Sequence, residues 1–145
     1  MQDIQILEVE EAIPQMRCLI ANDDLMQLEC LKMVFQQKNF EVVTAINGLE
    51  AYTKLYETLD EKVYFDLVVL DLNMPISDGY ESCNKILNLF EAGIFVNKNP
   101  KIKISNYKPV MVACSSLVNE EINNDALSAG FDLTLEAPLT ADKLE

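Results

Sequence analysis

Short, wholly apolar runs that end in acidic or hydroxyl residues constrain the fold of this chain more than any other feature. Leu67-Val68-Val69-Leu70 runs straight into Asp71, Cys18-Leu19-Ile20-Ala21 into Asn22-Asp23-Asp24, and Val110-Met111-Val112-Ala113-Cys114 into Ser115-Ser116. Runs this short, without polar alternation, read as strands covered on both faces. That is the pattern of a parallel sheet, which takes ligands beyond the carboxyl ends of its strands. Amphipathic stretches separate the runs. Leu28, Leu31, Val34 and Phe35 recur at helical spacing up to Lys38-Asn39, where asparagine supplies a stop. Ala51, Leu55, Tyr56 and Leu59 follow the Asn47-Gly48 turn, and Cys83, Ile86, Leu87 and Phe90 mark a helix from about Tyr80 to Ala92, broken by Gly93. Ile122, Ala126 and Leu127 point inward from a helix over Asn119 to Ala129, with Gly130 placed for a left-handed cap. Phe40–Ala45 and Leu133–Leu135 supply the second and fifth strands. Strands alternating with helices of this length imply right-handed crossovers and an α/β fold, a doubly wound parallel sheet of five strands.

A length of 145 residues suits one domain. Residues 1–16, with Glu8, Glu10, Glu11 and Pro14, carry no sustained period and read as a lead-in, leaving 17–145 as the domain. Thr140 offers a cap for one more helix, but Glu145 is the last residue, so the final helix is expected to be truncated or absent. No apolar stretch approaches the ~20 residues of a membrane span, and the start lacks signal-peptide character, which points to a cytoplasmic or other intracellular place without membrane contact. Cys18, Cys30, Cys83 and Cys114 show no paired short spacing, and three of them fall on apolar faces, so buried free thiols are expected. A formal charge of −13 repels nucleic acid, and Lys98, Lys101, Lys103 and Lys108 read as a solvated loop. With no histidine, the chain itself cannot run histidine acid–base chemistry or carry a phosphohistidine. With four glycines and none following the first strand, it lacks a phosphate-cradling nucleotide loop.

If the first and third strands are neighbours, Asp23, Asp24 and Asp71 meet at one edge of the sheet, where like charges repel unless a hard cation separates them. Oxygen-only ligands with open positions for water and phosphate suit Mg²⁺.

From Arg17 onward the chain resembles the receiver domains of two-component response regulators and hybrid histidine kinases. The most specific segment is Asp71-Leu72-Asn73-Met74-Pro75-Ile76-Ser77-Asp78-Gly79-Tyr80-Glu81, similar to that family's phosphoacceptor loop. The resemblance implies a flavodoxin-like sheet of strand order 2-1-3-4-5. It implies that Asp71 accepts a phosphoryl group from a phosphohistidine, that Asp23, Asp71 and the Asn73 backbone carbonyl hold Mg²⁺ with Asn22 and Asp24 beside them, and that the Ser115 hydroxyl bonds the phosphoryl group. The partners it implies are a histidine kinase or histidine phosphotransfer protein, and an output domain or dimer partner. The domain itself would not be a conventional enzyme, though its parent chain would fit a hybrid histidine kinase.

Three departures accompany these matches. Asn22 stands where the family has a first acid, which lowers the expected metal affinity. The family's lysine falls on Ala137, or on Glu136 one register away, and the aromatic switch three positions earlier is replaced by Thr134. Lys143 or the Lys98–Lys108 loop offers a substitute cation. The second reading is therefore a degenerate receiver that binds proteins without phosphorylation. A metal-dependent phosphohydrolase is disfavoured because Asn73, not an acid, stands two residues beyond Asp71.

Overall fold

Residues Cys18 to Ile20 and Val68 to Leu70 are wholly buried, as strands covered on both faces must be. The computed structural model describes residues 15–60, 64–74, 78–91, 108–116 and 118–136. In chain order it contains β1 (Arg17–Ala21), α1 (Leu25–Gln37), β2 (Glu41–Ala45), α2 (Gly48–Asp60), β3 (Leu67–Asp71), α3 (Gly79–Glu91), β4 (Val110–Ser115), α4 (Glu120–Ala129) and β5 (Leu133–Glu136). The five strands form one parallel sheet in the order β2-β1-β3-β4-β5, the expected flavodoxin-like arrangement. The lead-in up to residue 14, Pro75-Ile76-Ser77, the Gly93 to Lys103 stretch, and Ala137, Pro138, Thr140 and Lys143 lie outside the described residues.

Alternate strand residues face opposite layers, so the core is double. Leu19, Ala21, Val68, Leu70, Met111 and Ala113 pack against Ala51 and Leu55 of α2, Cys83 and Ile86 of α3 and Ala126 of α4. Cys18, Ile20, Val69, Val112 and Cys114 pack against Leu28, Leu31 and Phe35 of α1. The termini of these helices follow their chemistry. Asp24 caps α1, Asn39 leaves it with φ 68°, Asn119 Oδ1 accepts from Ile122 N at 2.8 Å, and Gly130 closes α4 at φ 107°. Thr134 of β5 donates its hydroxyl to Asn123 Oδ1 of α4 at 2.8 Å.

One inward assignment fails: Leu127 is 51% exposed. Tyr56 of α2 is likewise 44% exposed and lies over Tyr52 with ring centroids 6.3 Å apart. Each follows a residue, Leu55 or Ala126, that already fills the buried stripe, and the ~100° turn per residue carries it outward. Smaller shifts lie at boundaries. Phe40 precedes β2 and packs edge-on against Phe35 at 5.5 Å, α3 starts at Gly79, and β5 runs one residue further, to Glu136.

Cys18, Cys83 and Cys114 are buried and Cys30 is exposed, all as free thiols. Burial pushes the Cys18 and Cys83 thiols up to about 12, with Asp132 adding to the shift at Cys83. A folded pKa above the unfolded value makes these thiols stabilising below pH 9, with that contribution lost as pH rises from 9 towards 12. At pH 7.5 a maleimide should therefore add once to the native chain, at Cys30, and four times after denaturation. Rapid multiple labelling of the native chain, read by intact mass, would contradict the buried placements.

Candidate functional site

As the central strand, β3 has its carboxyl end walled by the turns that follow β1 and β4. The registers Ala21↔Leu70 and Asp71↔Cys114 put Asn22 level with Asp71 on one side and Ser115 one residue beyond it on the other. Pairing continues past the strand ends. Leu72 N–H donates to Cys114 O at 3.0 Å and Asn22 N–H to Ala45 O at 3.1 Å, so the edge is held by main-chain bonds on both flanks.

Asp71 is half-buried, and its Oδ1 accepts the Asn73 N–H at 3.1 Å. Burial holds its carboxyl above the usual carboxylate value. The Asn73 N–H opposes that shift, and the charges of Asp23 and Asp24 add to it. The anticipated meeting of acids at one edge is thus felt at Asp71 as desolvation combined with repulsion.

The turn after β1 divides its three residues by role. Asn22 is 1% exposed; its Oδ1 accepts Asp24 N–H at 2.8 Å and its Nδ2 donates to Gln27 Oε1 at 3.2 Å. Both ends of this amide are used inside the fold, so a neutral side chain fixes the turn where a charged one would need another partner. Asp24 Oδ1 accepts from Met26 N at 3.0 Å and Gln27 N at 3.2 Å, capping α1. Asp23 stands exposed between them. Ser115 is 5% exposed at the end of β4 and is in register with Glu136, so a carboxylate residue ends β5 across from it.

Among the described residues no three His, Cys, Asp or Glu side chains are arranged to enclose a metal. What the edge offers is sparser: the carboxylates of Asp23 and Asp71, mutually repelling, with main-chain oxygens of the following loop. That oxygen-only, incomplete set fits Mg²⁺, which keeps several waters and takes one or two carboxylates. Sequence reasoning missed the capping role of Asp24 and the double anchoring of Asn22. An Asx residue just before a helical run was the available signal for the cap.

A model of the response regulator receiver domain family matches residues 18–145. The chain belongs to that family. This receiver is 28% identical over 130 residues to chemotaxis protein CheY of Listeria monocytogenes, covering 89% of this chain and 92% of that one. It is 24% identical over 142 residues to the peroxide stress-activated histidine kinase mak1 of Schizosaccharomyces pombe, covering 98% of this chain and 8% of the kinase. Among solved structures, one chain of the CheX–CheY–BeF3–Mg²⁺ complex of Borrelia burgdorferi superposes with a TM-score of 0.70 at 26% identity, over 94% of this receiver and 87% of that chain. The receiver is thus a domain of two-component signalling, and none of its described helices is long and apolar enough to cross a membrane.

Proposed function

We infer that this receiver accepts a phosphoryl group on Asp71 from a phosphohistidine, with Mg²⁺ held by Asp23, Asp71 and the Asn73 carbonyl. The observation that carries this reading is the state of Asp71: a half-buried carboxylate at the end of the central strand, desolvated and pressed by two further acids. Desolvation weakens the solvent cage of a nucleophile, and the fixed strand end orients it for in-line attack. An Asp71 oxygen forms the new bond to phosphorus as the phosphorus–nitrogen bond of the donor breaks and the imidazole leaves with the electron pair. Bound Mg²⁺ supplies neutralising charge to the phosphoryl oxygens. The Asn73 N–H holds Asp71 Oδ1, leaving the other carboxylate oxygen for attack, and the Ser115 hydroxyl stands one strand away to bond a phosphoryl oxygen. Charge added at Asp71 then biases the receiver between two surface states.

The partner in this reading is a histidine kinase or a histidine phosphotransfer protein. Its docking is supported by α1, which is apolar on two sides. Leu28, Leu31 and Phe35 face the sheet, while Met26 at 78% exposure, Cys30 and Met33 at 53% recur outward, beginning two residues after Asp24. The second reading, a phosphate-independent interaction module, draws support from Glu136 standing in register with Ser115 where a cation would aid phosphoryl binding.

Intact mass after incubation with acetyl phosphate separates the two. The expected result is a single phosphoryl adduct that forms with Mg²⁺ and is absent in EDTA. No adduct, beside a control receiver that labels, would leave the interaction module standing.

A further inference from the structure

Gly79, the first residue of α3, is buried, and its N–H donates to Leu72 O at 3.2 Å. A Cβ built on it would strike the carbonyl oxygen of Asp71 and fall 2.8 Å from Leu72 Cα and 3.0 Å from the Asp71 carbonyl carbon. All of these are backbone atoms of the strand end that bears Asp71, so no flexible side chain can yield. The start of α3 is independently fixed by Asp78, whose Oδ1 accepts Glu81 N at 2.8 Å and whose carbonyl accepts Ser82 N at 2.9 Å. The helix start is therefore clamped on one side and seated on the peptide of Asp71 on the other, with no room for a methyl group between them.

We propose that Gly79 is a positioning residue for the acceptor: its bare Cα is the seat on which the Asp71–Leu72 peptide rests. The seat sets the height of the Asp71 carboxylate and the direction in which the chain continues to Asn73, whose N–H bonds Asp71 Oδ1 at 3.1 Å. A methyl group there forces the helix start and the strand end apart, and displacements near 1 Å at a reacting group cost about 100-fold in rate. This inference rests on the phosphoacceptor reading for its kinetic consequence, but the seat itself is tested without it.

The test compares Gly79→Ala with Asp78→Ala, which removes the α3 cap and leaves the seat untouched. With both variants held well below their Tm, Gly79→Ala should label from acetyl phosphate about 10- to 100-fold more slowly and need more Mg²⁺ for half-maximal rate, while Asp78→Ala loses Tm with near-native labelling. Equal slowing in the two variants, or native Mg²⁺ dependence in Gly79→Ala, overturns the proposal. If the native chain does not label, the phosphoacceptor reading fails by itself, and amide NMR then decides the seat. Shifts caused by Gly79→Ala should centre on Asp71, Leu72 and Asn73, and shifts confined to α3 overturn the proposal. Should Gly79→Ala not fold, the native chain suffices: Mg²⁺ titration should move the Gly79 amide resonance with that of Asn73, and a Gly79 resonance unmoved while Asn73 shifts overturns it.

Discussion

Asp71→Asn should take up no phosphoryl group under conditions that label the native chain, and at neutral pH without Mg²⁺ it should unfold at a higher temperature. The first follows from loss of the carboxylate nucleophile, the second from loss of its charge. Burial and the charges of Asp23 and Asp24 raise the Asp71 pKa in the folded state, so its charged form opposes folding. A raised folded pKa gives a contribution that is favourable below the unfolded value near 3.8 and is lost as pH rises, so at pH 7 the carboxylate is a net cost. Asparagine keeps the shape and an oxygen able to accept the Asn73 N–H while discarding the charge. Mg²⁺ should reverse the order: a ligand that binds only the folded state stabilises by RT ln(1 + [L]/Kd), and the native chain, with both carboxylates, gains more than the variant. Thermal melts of the two chains across a Mg²⁺ series check this. An Asp71→Asn chain less stable than the native one in EDTA would mean that the acid is a structural turn residue and not a strained acceptor.

Ala137→Lys should accelerate labelling from acetyl phosphate about 10- to 100-fold, since a hydrogen bond to a charged group contributes about 1.5–3 kcal/mol. Position 137 lies outside the described residues; its predecessor Glu136 ends β5 in register with Ser115, the hydroxyl proposed to bond the phosphoryl group. The same ammonium would offset repulsion among Asp23, Asp24 and Asp71, so the gain should be largest at low Mg²⁺ and low salt. Stopped time points read by intact mass give the rate. An unaltered rate would show that a lysine at 137 does not complete this edge.

The fold was legible because its main signals are strong and local. Buried parallel strands must be apolar throughout, and the runs at Cys18, Leu67 and Val110 are, so strands, crossovers and the edge holding Asp23 and Asp71 follow from them. Strand order was not in those runs; it came from the resemblance carried by the Asp71–Glu81 segment. Helix faces were legible to within one residue, which is where Leu127 slipped: apolar content alone cannot say which of two adjacent residues, Ala126 or Leu127, faces the sheet. From the sequence, Asn22 reads as a lost charge. That its amide is spent at both ends, on Asp24 and Gln27, depends on the turn geometry and is invisible in composition. The seat at Gly79 is a contact between two backbones, and a backbone contact leaves no trace in one sequence beyond the absence of a side chain.

The Thr134–Asn123 bond bears on how a signal would leave this receiver. A long aromatic ring can report a change by swinging between an inner and an outer pose while its strand stays still. A threonine whose hydroxyl is fastened to the neighbouring helix has no such swing; its side chain is a short strut with both ends fixed. A displacement of β5 at Thr134 would therefore have to carry Asn123 of α4 with it or break this bond, so a surface built on β5 and α4 would report their joint position and not the pose of one ring.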